Sequence, residues 1–378
     1  MACCAVVSLK FASRAWTEET RILQLTTLPA PALIQLLSGL LLLLFGAELS
    51  VRAAVHLAAI LRIRPLIIGL TVVALGSSAP QIAVSLQAAF SSRTDIAVGS
   101  VIGSGIFNVL VTLGLCALII PLRVARQVLR VDIPLMIGAC FLVTALAWDR
   151  ELDTLDGALL LAGLAACLFI VLRQAGQVAR HGQTFGADTP RAGSRVAMLV
   201  GGLLTLALGG HLLVNASVEI ALNLGLSERI IGLTVIAIGT SLPGLITSLI
   251  AAIRGEREIA VGNVIGSNLF NLLGVLGLTA MVAPDSLSVS PNALVFDLPV
   301  LLGVAALCLP VFYSGYRIDR IEGLLLLSLY LTYGLHIVSI STGMMLAERL
   351  ESAMLSVVLP VLGVIVGWGI VRSWRRQH

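Results

Sequence analysis

The segment from Ile67 to Leu115 returns without a gap from Ile230 to Leu278, with 28 of the 49 positions identical. A chain that carries one unit twice builds two related halves. The likeness extends upstream, where Gly39 and Gly46 match Gly202 and Gly209. It extends downstream too, where Asp132-Ile133-Pro134 echoes Asp297-Leu298-Pro299. Apolar packing alone would preserve hydrophobicity, but not Gly, Ser, Pro and Asn at matched places.

Composition identifies the solvent. The chain is 58% hydrophobic and 12% charged, with a mean hydropathy of +1.03. Soluble domains carry about 25% charge. A soluble enzyme, a nucleic-acid binder and a disordered chain are therefore poor fits. Apolar runs long enough to span a bilayer lie near 33–60, 65–90, 96–120, 132–148, 155–172, 196–222, 230–253, 259–283, 293–312, 321–340 and 353–371. The copies are offset by five such runs, an odd number, so they cross the membrane in opposite directions. Inverted repeats of this kind are the build of many secondary transporters, with the ion site near the midplane where the repeats meet.

The expected fold is an all-α integral membrane protein of ten or eleven transmembrane helices in two inverted five-helix repeats. The expected division is an N-terminal extension (1–30), a first repeat (31–172), a polar linker (173–195), a second repeat (196–340), and an extra helix with a basic tail (341–378). Starting the first span from outside places sixteen arginines on inner loops and four on outer ones. That bias makes the linker cytoplasmic and the cluster Asp149, Glu151, Asp153 and Asp156 external, in a plasma (inner) membrane protein. Cys116, Cys140, Cys167 and Cys308 lie in apolar runs without CxxC spacing and read as packing residues. Cys3-Cys4 is a weak acylation signal.

Two polar motifs recur at membrane depth. Gly76-Ser77-Ser78-Ala79-Pro80-Gln81 is matched by Gly239-Thr240-Ser241-Leu242-Pro243-Gly244. A helical proline frees the carbonyl four residues back, here those of Gly76 and Gly239. A free carbonyl beside two hydroxyls is a hard-oxygen cradle for a cation; the plain alternative is a kink satisfied by Ser or Thr. The next run holds Gly103-Ser104-Gly105-Ile106-Phe107-Asn108, matched by Gly266-Ser267-Asn268-Leu269-Phe270-Asn271. Ser104 with Asn108, and Ser267 with Asn271, share a helix face. The glycines Gly99, Gly103 and Gly114, with Gly262, Gly266 and Gly277, allow close helix approach.

These motifs resemble the alpha repeats of the calcium/cation antiporter superfamily, in particular its bacterial sodium/calcium exchanger-like branch, over about residues 33–340. The resemblance implies ten helices in two inverted halves and exchange of a cation, calcium by family, against sodium or protons by alternating access. It implies a site of Ser77, Ser78, Gln81, Ser104 and Asn108 from the first copy, with Thr240, Ser241, Ser267 and Asn271 from the second. The partners it implies are the lipid bilayer and inorganic cations, with no cofactor and no nucleic acid; the sequence specifies no oligomeric state.

The chain departs from the family pattern at two decisive places. The family usually has glutamate after the motif proline in both copies, where this chain has Gln81 and Gly244. Gly105 stands where the motif has asparagine. Calcium takes six to eight oxygens, several charged, so a neutral site favours a monovalent ion. The alternative is a homologue that kept the fold and lost transport, with a structural or regulatory role. Other acids near the spans are Glu48, Glu219, Asp132 and Asp297. In the repeat alignment Glu48 falls on His211 and His56 on Glu219, while Asp132 and Asp297 read as helix N-caps. Asp95 and Glu258 read as loop or helix-start residues. There is no HExxH and no Ser/His/Asp set in order, so no enzyme is expected.

Overall fold

The computed structural model describes residues 30–61, 63–179, 192–223, 236–313 and 316–342, with isolated positions beyond 348. Helix α1 is Ala30–Leu61, and α2 runs as Pro65–Ser77 and Ala79–Phe90 with a 41° bend between them. Then follow α3 (Thr94–Ile119), α4 (Val128–Asp149), α5 (Thr154–Ala179) and α6 (Ala192–Asn223). The remaining helices are α7 (Ala237–Ile253), α8 (Arg257–Val282), α9 (Ala293–Tyr313) and α10 (Arg320–Thr342). Among the described residues seven helices are each long and apolar enough to cross a membrane, or eight if the bent α2 is one span. These segments follow ten of the eleven apolar runs closely. The run 353–371, the N-terminal extension with Cys3 and Cys4, the middle of the linker, and Ile230–Val235 lie outside the described residues.

Repeated sequence produces repeated irregularity. Wide π-helical turns occur at Asn108–Leu113 of α3 and Phe270–Val275 of α8. They recur at Val128–Asp132 of α4 and Ala293–Asp297 of α9. Such turns often mark functional sites, and Asn108 and Asn271 both lie in one. The prolines behave unequally. Helix α2 breaks at Ser78, with Pro80 in the first turn of its second part, whereas Pro243 sits inside an unbroken α7.

Packing between α1 and α6 agrees with the expected inversion. A Cβ on Gly39 would come 2.9 Å from the Gly209 carbonyl oxygen, and one on Gly46 2.9 Å from that of Gly202. Gly39 corresponds to Gly202 in the repeat, and Gly46 to Gly209. The contact is therefore reciprocal, as a two-fold axis in the membrane plane requires. Only glycine permits backbones this close.

The short strands repeat the exchange. Strand β1 (Leu122–Arg123) pairs with β4 (Arg317–Ile318), and β2 (Glu151–Leu152) with β3 (Leu287–Ser288), both antiparallel. Each ribbon ties a loop of one half to a loop of the other. Arg64, before α2, binds Glu258 in the first turn of α8 at 2.6 Å. On the opposite face, the Ser288 amide donates to the Thr94 hydroxyl at 3.1 Å. These contacts all join loops that an alternating path puts on one side of the membrane.

Helices α3 and α8 form the centre, with 72% and 94% of their apolar windows enclosed by protein. The outer helices turn Ile34, Leu41, Phe45 and Phe169 outward. In water such a belt would drive aggregation; in lipid it is solvent-matched, and the helical backbone needs no outside partners.

Candidate ion-binding site

Helices α2, α3, α7 and α8 meet at a polar cluster in the enclosed centre. The nine residues expected from the motifs, Ser77, Ser78, Gln81, Ser104, Asn108, Thr240, Ser241, Ser267 and Asn271, are each at most 4% exposed. Their bonds cross between the halves. Thr240 donates to Gln81 Oε1 at 2.6 Å, and Ser104 and Ser241 share a hydrogen bond of 2.7 Å. Ser77 and Ser267 hydroxyls lie 3.2 Å apart, and Asn271 donates to Ser104 at 3.2 Å. Asn108 donates to Asn268 Oδ1 at 3.0 Å. The spacing explains the convergence: one helical face gathers positions four apart, and the inverted copy presents the same face to it.

Five further residues not expected in the site complete the cluster, although one of them, Asn268, lies within the second motif. Gln81 donates to Ser100 at 2.8 Å and to Ser85 at 3.3 Å. Asn263 donates to Ser248 at 2.9 Å and to the Gly244 carbonyl at 3.1 Å, and accepts from Ser77 at 3.1 Å. Asn268 also donates to the Gly105 carbonyl at 3.3 Å. Ser85 and Ser248 are identical in the two copies, a signal already in the sequence. Ser100 against Asn263, and Gly105 against Asn268, differ between copies, and their roles emerge only from the contacts.

The two glycines that interrupt the repeat have different surroundings. A Cβ on Gly105 would meet Leu301 at 2.9 Å, so apolar packing fills that space. At Gly244 the nearest atoms are polar: Asn263 Nδ2 and Ser77 Oγ at 3.8 Å, and Asn108 Oδ1 at 4.0 Å. A side chain there starts in ordinary contact. The clash that tight helix packing would lead one to expect at Gly244 is absent.

The cluster is neutral, built of hydroxyls, carboxamides and carbonyls. Two of its oxygens, Ser78 Oγ and Asn271 Oδ1, are buried without a hydrogen-bond partner. Buried polar atoms normally find one, so these two oxygens stand out within the cluster. No group of three or more His, Cys, Asp or Glu side chains suited to a metal occurs among the described residues.

None of the other acids hydrogen-bonds to the cluster among the described residues. Glu48 binds Arg52 at 2.6 Å and also pairs with Arg254, whose Nε donates at 2.7 Å. His211 Nε2 lies 3.0 Å from the Asn215 amide nitrogen, and His56 Nδ1 lies 2.6 Å from the Arg52 carbonyl oxygen. The acid and histidine positions matched in the alignment are thus equivalents rather than contacts. The N-cap reading of Asp132 is corrected: it makes no cap bond, lies in a π-helical turn, and is fully buried with both oxygens unpartnered. Asp297 likewise lies in a π-helical turn, and accepts from the Tyr333 hydroxyl at 3.0 Å. Asp95 and Glu258 do lie in first helical turns, of α3 and α8.

Comparison with known proteins places this architecture. The sodium/calcium exchanger protein family model matches residues 31–173 and 194–339. The putative antiporter CaxA of Alkalimonas amylolytica is 38% identical over 80% of this chain and 97% of its own length. The sodium/calcium exchanger MaX1 of Methanosarcina acetivorans is 31% identical over 79% of this chain and 96% of its own. A structure of the sodium-calcium exchanger NCX_Mj, soaked with 10 mM Na+ and 10 mM Sr2+, superposes with a TM-score of 0.70 at 28% identity, covering 83% of this chain and 99% of that one. Two matched repeats, their reciprocal packing and these likenesses agree: the chain is a multi-pass membrane protein belonging to the sodium/calcium exchanger family.

Proposed function

We propose that this protein is a secondary active antiporter whose polar cluster binds a cation, exchanging it against sodium or protons by alternating access. The observation that carries the reading is the set of hydrogen bonds joining α2 and α3 of one half to α7 and α8 of the other. A site shared by two inverted halves opens to one side or the other as the halves rock. The family model and the antiporters among the relatives favour exchange over the transport-silent alternative.

The neutral cluster argues for a monovalent cation. A divalent ion brings two charges to a low-dielectric centre, and ligand charge count sets its affinity. Gln81 and Gly244 supply none. The proposed ligands are Ser78 Oγ and Asn271 Oδ1, joined by the hydroxyls of Ser77, Thr240, Ser241, Ser104 and Ser267 and the oxygens of Gln81 and Asn108. The two five-helix repeats act as the moving halves, in an inner membrane with the 173–195 linker in the cytoplasm.

The deciding experiment is flux into vesicles containing purified protein. Labelled sodium should enter sodium-loaded or acid-loaded vesicles faster than protein-free controls, and calcium should compete weakly. High-affinity calcium exchange by the unmodified protein would overturn the monovalent reading, and no flux of any cation would overturn antiport.

A further inference from the structure

A second site candidate lies at the loop face that joins α3 to α4 and α9 to α10, away from the polar cluster. A cavity of about 690 Å³ opens there between the start of α4 and the end of α9. This is within the usual range for small-molecule pockets. Leu129, Leu309 and Pro310 give it an apolar wall, and Arg126 and Arg130 a cationic one, with Tyr313 and Tyr316 between. No acidic side chain lines it among the described residues.

The arginines around the cavity are badly placed for one another. Arg126 and Arg130 are four apart at the start of α4, where like charges repel and the helix dipole opposes cations. Arg123 on β1 faces Arg317 on β4 across the ribbon, a destabilising like-charge pair. Among the described residues only Arg317 of these four has an acidic partner, Asp319 at 3.0 Å. Arg126 is held over the Tyr316 ring at 5.4 Å, a cation–π contact that fixes its guanidinium. Two arginines, Arg126 and Arg130, beside an apolar wall match an anionic head on an apolar tail.

We propose that this cavity binds one anionic glycerophospholipid, its phosphate held by Arg126 and Arg130 and its first acyl carbons against Leu129, Leu309 and Pro310. Planar guanidinium groups bind phosphate in a bidentate manner. Basic pockets at the inner ends of membrane helices take such headgroups, and this face is the one proposed above as cytoplasmic. The lipid is favoured over free phosphate because most of the wall surface is apolar. By bridging the start of α4 and the end of α9, it would tie an element of one repeat to one of the other.

Thermal unfolding of the full chain in neutral detergent tests this. Dioctanoyl phosphatidylglycerol should raise Tm by about 3 °C or more, while dioctanoyl phosphatidylcholine and inorganic phosphate should not. Arg126→Gln with Arg130→Gln should abolish the shift, and Arg173→Gln, an exposed arginine elsewhere, should keep it. Leu309→Trp fills the cavity with every charge intact and should also abolish the shift. That variant decides the matter alone if the double arginine variant fails to fold. An undiminished shift in Leu309→Trp would overturn the pocket in favour of diffuse charge attraction. An equal shift with inorganic phosphate or phosphatidylcholine would overturn the anionic lipid as occupant.

Discussion

Gln81 and Asn263 occupy equivalent places in the two halves although they are not equivalent in sequence. Gln81 Oε1 accepts from Thr240 at 2.6 Å, and Asn263 Oδ1 accepts from Ser77 at 3.1 Å; Thr240 and Ser77 are repeat mates. Their amide nitrogens donate to Ser85 and Ser248, which are also repeat mates. One half therefore supplies its carboxamide from the proline-bearing helix α2, and the other from α8. The pair Gln81 with Ser100 does what Gly244 with Asn263 does, with the large and small residues exchanged.

This exchange predicts a compensating pair of substitutions. Gln81→Gly alone removes the bonds of Gln81 to Thr240, Ser100 and Ser85, while the Thr240 and Ser100 hydroxyls keep the Ala237 and Ala97 carbonyls as acceptors; each lost bond costs about 0.5–1.5 kcal/mol net. Adding Ser100→Asn should recover most of that loss, because it recreates the arrangement of the second half. Thermal unfolding of the wild type, both single variants and the double variant measures the coupling. An additive double variant would refute the equivalence.

Calcium handling should follow charge. Gln81→Glu and Gly244→Glu place two carboxylates in the neutral cluster, and a Cβ on Gly244 meets its polar surroundings at ordinary contact distance. Each carboxylate should raise calcium affinity by about tenfold or more, the equivalent of ~1.4 kcal/mol. Labelled calcium uptake by the double variant should exceed that of the wild type in sodium-loaded vesicles. Unchanged uptake would remove Gln81 and Gly244 from the ion site.

Two adjacent glycines on α6 should respond oppositely to alanine. A Cβ on Gly202 would come 2.9 Å from the Ser50 amide nitrogen and 3.0 Å from the Gly46 carbonyl, whereas one on Gly201 meets nothing within 4 Å. Gly202→Ala should destabilise by about 1–3 kcal/mol through overpacking. Gly201→Ala should be neutral, or stabilising by up to ~1 kcal/mol through helix propensity. Comparing the two midpoints in one detergent checks the α1–α6 contact directly.

Glu48 should be dispensable for ion choice. Its carboxylate is engaged by Arg52 and Arg254 and makes no hydrogen bond to the polar cluster among the described residues. Glu48→Gln should leave cation selectivity unchanged and cost at most ~1 kcal/mol, as partly exposed ion pairs do. A change in the sodium-to-calcium preference of this variant would bring Glu48 back as a source of site charge.

Topology is testable by labelling in a background without native cysteines. Asp153→Cys should react with an impermeant reagent from outside, and a cysteine at Ser194 from inside only. The reverse pattern would overturn the orientation taken from the arginine count.

The sequence by itself determined the solvent, the helical class and the duplication, and the odd offset of the copies predicted their inversion. Hydrophobicity and repeat offset are properties of the chain read in order, so no three-dimensional contact is needed to see them. The motif residues Ser77, Thr240, Ser104 and Asn271 were legible for the same reason, since matched polar positions at membrane depth stand out against apolar runs. The tertiary structure alone decided how the halves interlock. Only a folded chain brings Asn263 to Ser77, 186 positions apart. Only there does Leu301 fill the space at Gly105 while polar atoms surround Gly244. Asp132 illustrates the limit most clearly. Its place before Ile133-Pro134 suggested a local cap, but the chain enters α4 through a wide turn and buries the carboxylate. Whether a side chain caps its own helix or points inward depends on what packs around it, and packing joins residues that the sequence keeps far apart.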